Sequence, residues 1–335
     1  MTRLDTLFPQ AFSHSMMQSV WSCEMKFFRQ HCQRLTTGHA RSSDLIAGGH
    51  FAKACEIVRK SFYNDNLSID NSIELGYNSI IESEDTGDYI KSNRRLAICL
   101  KKHFKLFPLD NNLAPVKLAN GEHAIEYAFD FELGIEHPDI PGTSIRYKGL
   151  LDGLYEKTHL GKRVGTYVVD EKTCSSVFRV SGTKIVDIAK EEDKYKTEGQ
   201  MIGYHWAARQ LGLKPTGTLI YKIPLTKDFE PSFCLEIPIN DYLVDIWSAT
   251  LCNKIEELKD KYLFYKNIEH QPHYSFYPAL TDSACVSYGR RCSFTDGCRY
   301  KGEDVMAMTH EQRIWDSTSK RDYTLKEYKQ LKGIK

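Results

Sequence analysis

The chain has 335 residues, 41% hydrophobic and 27% charged, enough apolar material for a sizeable core. A formal charge of +1 and an isoelectric point near 7.6 exclude a uniformly basic surface, so any anion-binding face is local. No window approaches the roughly 18 apolar residues that a membrane span needs, and the apolar spot at Leu7 and Phe8 is too short for a leader, so a soluble intracellular chain is expected.

In chain order, apolar spacing predicts helices over Ser13–Arg34, Asp44–Phe62 (capped by Asp44), Ile69–Glu84 and Tyr89–Phe107. The turn formers Pro108, Asp110, Asn111 and Asn112 then break the pattern, and the hydrophobic period shortens to that of strands. Strands are predicted at Ala124–Leu133, Ile145–Glu156, Val164–Lys172, Thr216–Ile223 and Phe233–Ile237, with a helix over Glu191–Leu211 before the fourth. An amphipathic helix over Asp241–Phe264 leads to a cysteine cluster, and the charged segment after Asp304 is expected to be peripheral and solvated. This order implies an α/β or α+β fold with a central mixed sheet flanked by helices. One domain is expected, with a helical part at 13–110, a sheet core at 113–238, a helix and cysteine cluster at 239–300 and a tail at 304–335.

Two apolar runs end in acids: Leu150-Leu151 leads into Asp152, and Tyr167-Val168-Val169 into Asp170-Glu171-Lys172. A carboxylate beside a buried sheet is expensive unless a cation or donor compensates it. Two on adjacent strands suggest a hard divalent ion, Mg2+ or Mn2+. Strand alternation puts Asp170 and Lys172 on one face and Glu171 on the other. Such a centre could activate a water against a phosphodiester while the lysine stabilises the developing charge. Taken alone, an Asp-x-Lys step also describes an ordinary ion pair at a strand end.

The phrases LLDGLYEK and VVDEKT together resemble motifs II and III of the RecB-like nucleases of the PD-(D/E)xK superfamily. Gly49-His50 in AGGHFAKACEIVRKSFY looks like the first motif of that family, and Gln200 and Tyr204, one helical turn apart in TEGQMIGYHWAARQLG, look like its QxxxY motif. The resemblance implies a restriction-endonuclease-like core. It further implies metal ligation by His50, Asp152 and Asp170 with the Glu171 backbone carbonyl, transition-state stabilisation by Lys172, and substrate orientation by Gln200 and Tyr204. Glu126 matches a glutamate that relatives carry near the metal, although Asp130 and Glu132 share its face by alternation.

Ten cysteines without an export signal point to thiols or metal ligands rather than disulfides. Cys32, Cys55, Cys99, Cys174, Cys234 and Cys252 are scattered, as small buried hydrophobes are. Cys285, Cys292 and Cys298 cluster, with six and then five residues between them, while Cys23 stands near the start in FSHSMMQSVWSCEMKFFRQ. This resembles the iron–sulfur members of the superfamily, such as the AddB nuclease domain and the CRISPR-associated RecB-like exonucleases, with Glu24 in place of the usual proline and a longer first gap. The resemblance implies a structural [4Fe–4S] cluster on Cys23, Cys285, Cys292 and Cys298; four thiolates also suit zinc.

Lys26, Arg29, Arg94, Arg95, Lys101, Lys102, Arg290 and Arg291, with Phe27, Phe28, Tyr288 and Phe294, offer a track for phosphates and bases. The implied function is a metal-dependent exonuclease on single-stranded DNA or DNA ends, in recombination, repair or phage-type DNA metabolism, in the cytoplasm or at the nucleoid. A structure-specific endonuclease and a catalytically silent end-binding subunit are the alternatives. No GxxxxGK[ST] loop occurs, so a helicase or recombination partner would be a separate chain.

Overall fold

Strand β1 (Ala11–Phe12) leads into helix α1 (His14–Ser22), where the Ser13 hydroxyl accepts from the Met16 N–H. The helix expected over 13–34 does not continue. Cys23 adopts extended backbone (φ −169°, ψ 110°), and α2 (Glu24–Phe27) restarts beyond it and runs into a π-helical turn, Phe28–Cys32. After β2 (Leu35–Thr36), helix α3 (Ser43–Tyr63) is capped by the Ser42 hydroxyl accepting from the Leu45 N–H. Asp44 is therefore not the cap; it lies in the first turn, where its charge suits the helix dipole. Helices α4 (Ile69–Ile81) and α5 (Asn93–Leu106) are shorter than expected, because Asp85 and Asp88 accept the backbone N–H groups of Gly87, Ile90 and Lys91 in turns.

Strands β3 (Leu113–Pro115), β4 (Ile125–Glu136), β5 (Ser144–His159), β6 (Lys162–Cys174), β7 (Pro215–Pro224) and β8 (Phe233–Pro238) join β1 in a seven-stranded mixed sheet. Its order is β1-β5-β6-β7-β8, with β3 and β4 also on β5; β5–β6 and β7–β8 are antiparallel and β6–β7 parallel. The fold is thus α/β, a central mixed sheet flanked by helices, as a restriction-endonuclease-like core requires. Between the parallel strands, the one expected helix is two, α6 (Ile188–Lys196) and α7 (Gly199–Gln210), divided at the extended residue Glu198. Helix α8 (Asp241–Asn267), α9 (Asp282–Cys285), β9 (Val286–Ser287), β10 (Arg290–Arg291), α10 (Thr295–Arg299), α11 (Glu303–Thr309), β11 (Glu311–Asp316), β12 (Arg321–Thr324) and α12 (Leu325–Leu331) complete the chain. The computed structural model describes residues 4–36, 42–109, 111–174, 188–227, 229–267, 272, 275–279, 281–287, 290–300, 303–316 and 321–334; Asp110 and Tyr288 lie outside them.

The backbone divides into two compact units where the sequence suggests one domain. In the first (Met1–Ala40, Asp130–Gly149, Ala249–Lys335), the core is aromatic: Phe28 stacks on Phe276 at 4.4 Å and meets Tyr265 edge-on at 4.8 Å. The Asp139 carboxylate there accepts from Phe8 N–H, Tyr262 OH and Lys266 Nζ. The segment after Asp304 is not a solvated tail, since Met306 is fully buried against Leu35 and Phe294, and β11 pairs with β2. Its charged residues occupy one side of elements whose apolar residues are packed.

In the second unit (Arg41–Phe129, Leu150–Ser248), strand alternation builds two layers. Tyr155, Tyr167, Val169, Leu219 and Tyr221 pack with Phe51, Val58, Leu100 and Phe104 of α3 and α5. The alternate residues face α7, where His205 hydrogen-bonds Thr218 Oγ1 at 3.0 Å. Among the described residues no helix is long and apolar enough to cross a membrane.

Gly76 of α4 tests this packing. A Cβ there would collide with Val58 and come 3.0 Å from the Ala54 carbonyl oxygen. Alanine gains about 1 kcal/mol in helix propensity, but overpacking costs about 1–3 kcal/mol. Because a backbone oxygen cannot move aside as a side chain can, we expect Gly76→Ala to destabilise, read as a lower urea midpoint at unchanged m; a higher midpoint would contradict the close approach of α3 and α4.

Candidate active site

The β5–β6 ladder ends at the pair Gly153–Val169, one step short of the two aspartates. Beyond it the Glu171 N–H, which would otherwise bond a strand carbonyl, donates to Asp152 Oδ2 at 2.8 Å. Asp170 is 1% exposed. Lys172 Nζ stands 3.0 Å from Asp170 Oδ1, whereas Asp170 Oδ2 has no hydrogen-bond partner among the described residues. The lysine also donates to Gln200 Oε1 at 3.0 Å, and Gln200 Nε2 donates to Tyr204 OH at 2.7 Å. Asp170, Lys172, Gln200 and Tyr204 thus form one chain of contacts from β6 to α7.

Burial pushes the pKa of Asp152 well up, and the neighbouring Asp170 and Glu171 push it further. Burial also raises that of Asp170, against the pull of Lys172. Although burial disfavours the charge of Lys172, Asp170 and Asp152 hold its pKa above the usual lysine value. Two carboxylates that resist ionising together, one with an orphaned buried oxygen, are what a bound cation would relieve.

His50 lies two residues along α3 from Gly48, where a Cβ would stand 3.3 Å from Thr173 of β6, and its Nδ1 is buried without a hydrogen-bond partner among the described residues. Two carboxylates and such an imidazole fit a hard divalent ion by donor chemistry. Among the described residues, however, no three His, Cys, Asp or Glu side chains converge closely enough to hold an ion as they stand, so His50 is not joined to the aspartates in a ready shell.

Glu126 has left-handed backbone (φ 50°), a strained conformation for glutamate. Burial pushes its carboxyl up to about 7, helped by Glu56 and Glu171, and it acts electrostatically on Asp152. Asp130 and Glu132 are instead exposed and paired with Arg146, which separates them from Glu126.

On the opposite face Glu171 is buried against Arg59, with His103 Nε2 3.6 Å away. Burial works against its charge, but the Arg59 guanidinium and His103 hold it down at about 2. The carboxylate of Glu171 is therefore committed to a structural pair, which leaves only its backbone toward Asp152. Sequence reasoning missed Arg59, an unremarkable arginine within an amphipathic helix. It also missed Glu198, close enough to Lys172 and Asp170 to feel both charges; its place two residues before Gln200 was the available signal.

All four predicted cluster cysteines line one cavity of about 420 Å³ in the first unit. The break at Cys23 turns its thiol toward Ala279, whose N–H it accepts at 3.5 Å, and Cys285 and Cys292 are tied by a 2.7 Å backbone hydrogen bond. Burial raises the Cys298 thiol, Arg29 opposes this, and Cys23, Cys292 and Cys285 add to it, so the four sulfurs sense one another. All ten cysteines are free thiols. The proposed nucleic-acid track is only partly available. Phe27, Phe28 and Phe294 are core residues, and buried Arg29 is held by Gln33 and Glu303. Arg95 covers the Phe229 ring and donates to the Thr226 carbonyl. Arg94, Lys101, Lys102 and Arg291 are exposed.

No family model matches the chain, and no curated protein matches it. Among solved structures it is similar to a protein from Eubacterium rectale described as a "putative exonuclease", at 12% identity over 75% of this chain and 82% of that one, with a TM-score of 0.41. It is also similar to SSO0001, at 14% identity over 69% of this chain and 88% of that one, with a TM-score of 0.23. Likeness at these TM-scores assigns neither a family nor an activity.

The Arg59–Glu171 pair yields a signed expectation. Removing the guanidinium by Arg59→Leu strands a buried carboxylate and costs about 3–5 kcal/mol. Because Glu171 titrates near 2 when folded and near 4.3 when unfolded, the pair contributes stability on the order of 3 kcal/mol above pH 4.3, lost as pH falls toward 2. Denaturant melts at pH 7 and pH 3 should therefore show a smaller gap between Arg59→Leu and wild type in acid; an equal gap at both values would contradict an ionised Glu171.

Proposed function

We propose that the chain is a divalent-metal-dependent nuclease acting on DNA, as an exonuclease on single strands or free ends. The observation that carries this reading is the contact chain Asp170–Lys172–Gln200–Tyr204 beside the buried carboxylate of Asp152. A divalent cation held by Asp152 and Asp170, with His50 as a third donor, would supply Lewis acidity toward water and the scissile phosphate. Lys172 stays protonated between its acidic neighbours and offers its charge to oxygens that become more negative in the transition state. Gln200 holds the lysine and Tyr204 holds Gln200, so a phosphate meets donors that need not reorganise. The Glu171 N–H fixes one oxygen of Asp152.

The four cysteines, in this reading, hold a structural [4Fe–4S] cluster. The support is that all four thiols line one cavity, and four thiolates are the ligand set such a cluster takes. A cluster there ties residue 23 to residues 285–298 and fixes both segments in the folded unit.

End-labelled and circular single-stranded DNA, with Mg2+, Mn2+ or EDTA, test the activity. Metal-dependent loss of the linear substrate alone is expected, with Lys172→Met slower by about 10²–10³-fold and Asp170→Asn slower still. Cutting of circles would make the enzyme an endonuclease, and tight DNA binding without cleavage would leave the silent end-binding subunit. For the cluster, Cys292→Ala should give colourless, aggregation-prone protein low in iron and sulfide; retained colour with unchanged melting would contradict the assignment.

A further inference from the structure

One buried ammonium group has no task in this reading. Lys222 of β7 is the register partner of Lys172 in the parallel β6–β7 pair, so the two side chains leave the same face of the sheet from strands about 4.8 Å apart. That face also carries Asp170, two residues before Lys172. Lys222 is 8% exposed. Its Nζ donates to the Tyr195 hydroxyl of α6 at 2.8 Å, and Glu191 Oε2 stands 3.5 Å away with no hydrogen-bond partner among the described residues.

An ammonium group carries three protons, and the Tyr195 hydroxyl takes one. A lysine buried this deeply is costly unless an anion answers it. Among the described residues the one carboxylate within 4 Å is that of Glu191, and Asp170, which feels Lys222, is already in contact with Lys172. Two lysines side by side on one face, with Asp170 in contact with the first, leave a second point of positive charge within a side chain's reach of the first. A chain of regularly spaced monoanions is the ligand that matches such a pair, and the backbone of a nucleic acid is one.

We propose that Lys222 binds a second backbone phosphate of the DNA strand, next to the phosphate faced by Lys172, with Tyr195 positioning the ammonium group. The proposal rests on the nuclease reading, and its test separates the two. Binding of a single-stranded oligonucleotide is followed by fluorescence anisotropy from low to moderate salt, with EDTA present to prevent cleavage, for wild type, Lys222→Gln and Lys222→Arg. Loss of one phosphate contact should reduce the slope of log K against log salt by about 0.7 in Lys222→Gln, with the slope kept in Lys222→Arg. An unchanged slope in a folded Lys222→Gln overturns the proposal and leaves the nuclease reading standing, whereas failure of wild type to bind or cut DNA overturns both. Should Lys222→Gln not fold, wild type alone decides: replacing single phosphates by neutral methylphosphonates should weaken binding at the scissile phosphate and at one immediate neighbour, and insensitivity of both neighbours refutes the second contact.

Discussion

Ionised groups placed in the middle of a buried sheet constrain everything else in the second unit. β6 brings Asp170, Glu171 and Lys172 into the interior on consecutive residues, which a sheet tolerates only if each charge is answered on its own face. On the helical face Arg59 and His103 answer Glu171. On the α7 face Lys172 and the more distant Lys222 answer Asp170 only in part, and one of its oxygens has no hydrogen-bond partner among the described residues. The two faces therefore differ in kind. One is a closed structural pair, and the other is an open arrangement whose remaining demand for positive charge is the chemical opportunity.

The first unit holds a different sort of closure. Its aromatic core and the Asp139 hub bind the N-terminal segment to α8, and the cysteine cavity brings residue 23 together with residues 285–298. Joining segments so far apart in sequence restricts the unfolded chain strongly, so a cluster there would contribute to stability through chain entropy. The helix break at Cys23 bears on the same cavity. A continuous helix would carry the thiol along its own axis, whereas the extended residue between α1 and α2 turns it to the Ala279 N–H at the cavity wall.

Much of this was legible in the sequence, and for identifiable reasons. Acids closing apolar runs are rare enough that Asp152 and Asp170 stood out, and strand alternation placed Glu171 on the opposite face, where it is found. The spacing of Gln200 and Tyr204 gave one helix face, and the two do touch. What failed were judgements that depend on tertiary partners. Phe27, Phe28 and Arg29 have the composition of a binding surface but are buried, and the charged residues after Asp304 belong to elements with a packed apolar side. The cap of α3 fell to Ser42 rather than Asp44 because both residue types cap well and only geometry chooses. Lys222 was invisible for a related reason: its partner in the site is set by the β6–β7 register, which no local pattern reports. The division at Glu198, likewise, sits inside a sequence with unbroken helical composition.

A nuclease centre on the open face of β6 requires that this face take up a cation. Calorimetric titration of the anaerobically prepared protein with Mn2+, set against Asp152→Asn, Asp170→Asn and the doubly substituted chain, measures this without reference to any substrate. Uptake by wild type should weaken at least about tenfold in each single variant and vanish in the double, with each chain still folded by circular dichroism. Undiminished Mn2+ binding by a folded double variant would place the ion elsewhere and contradict such a centre.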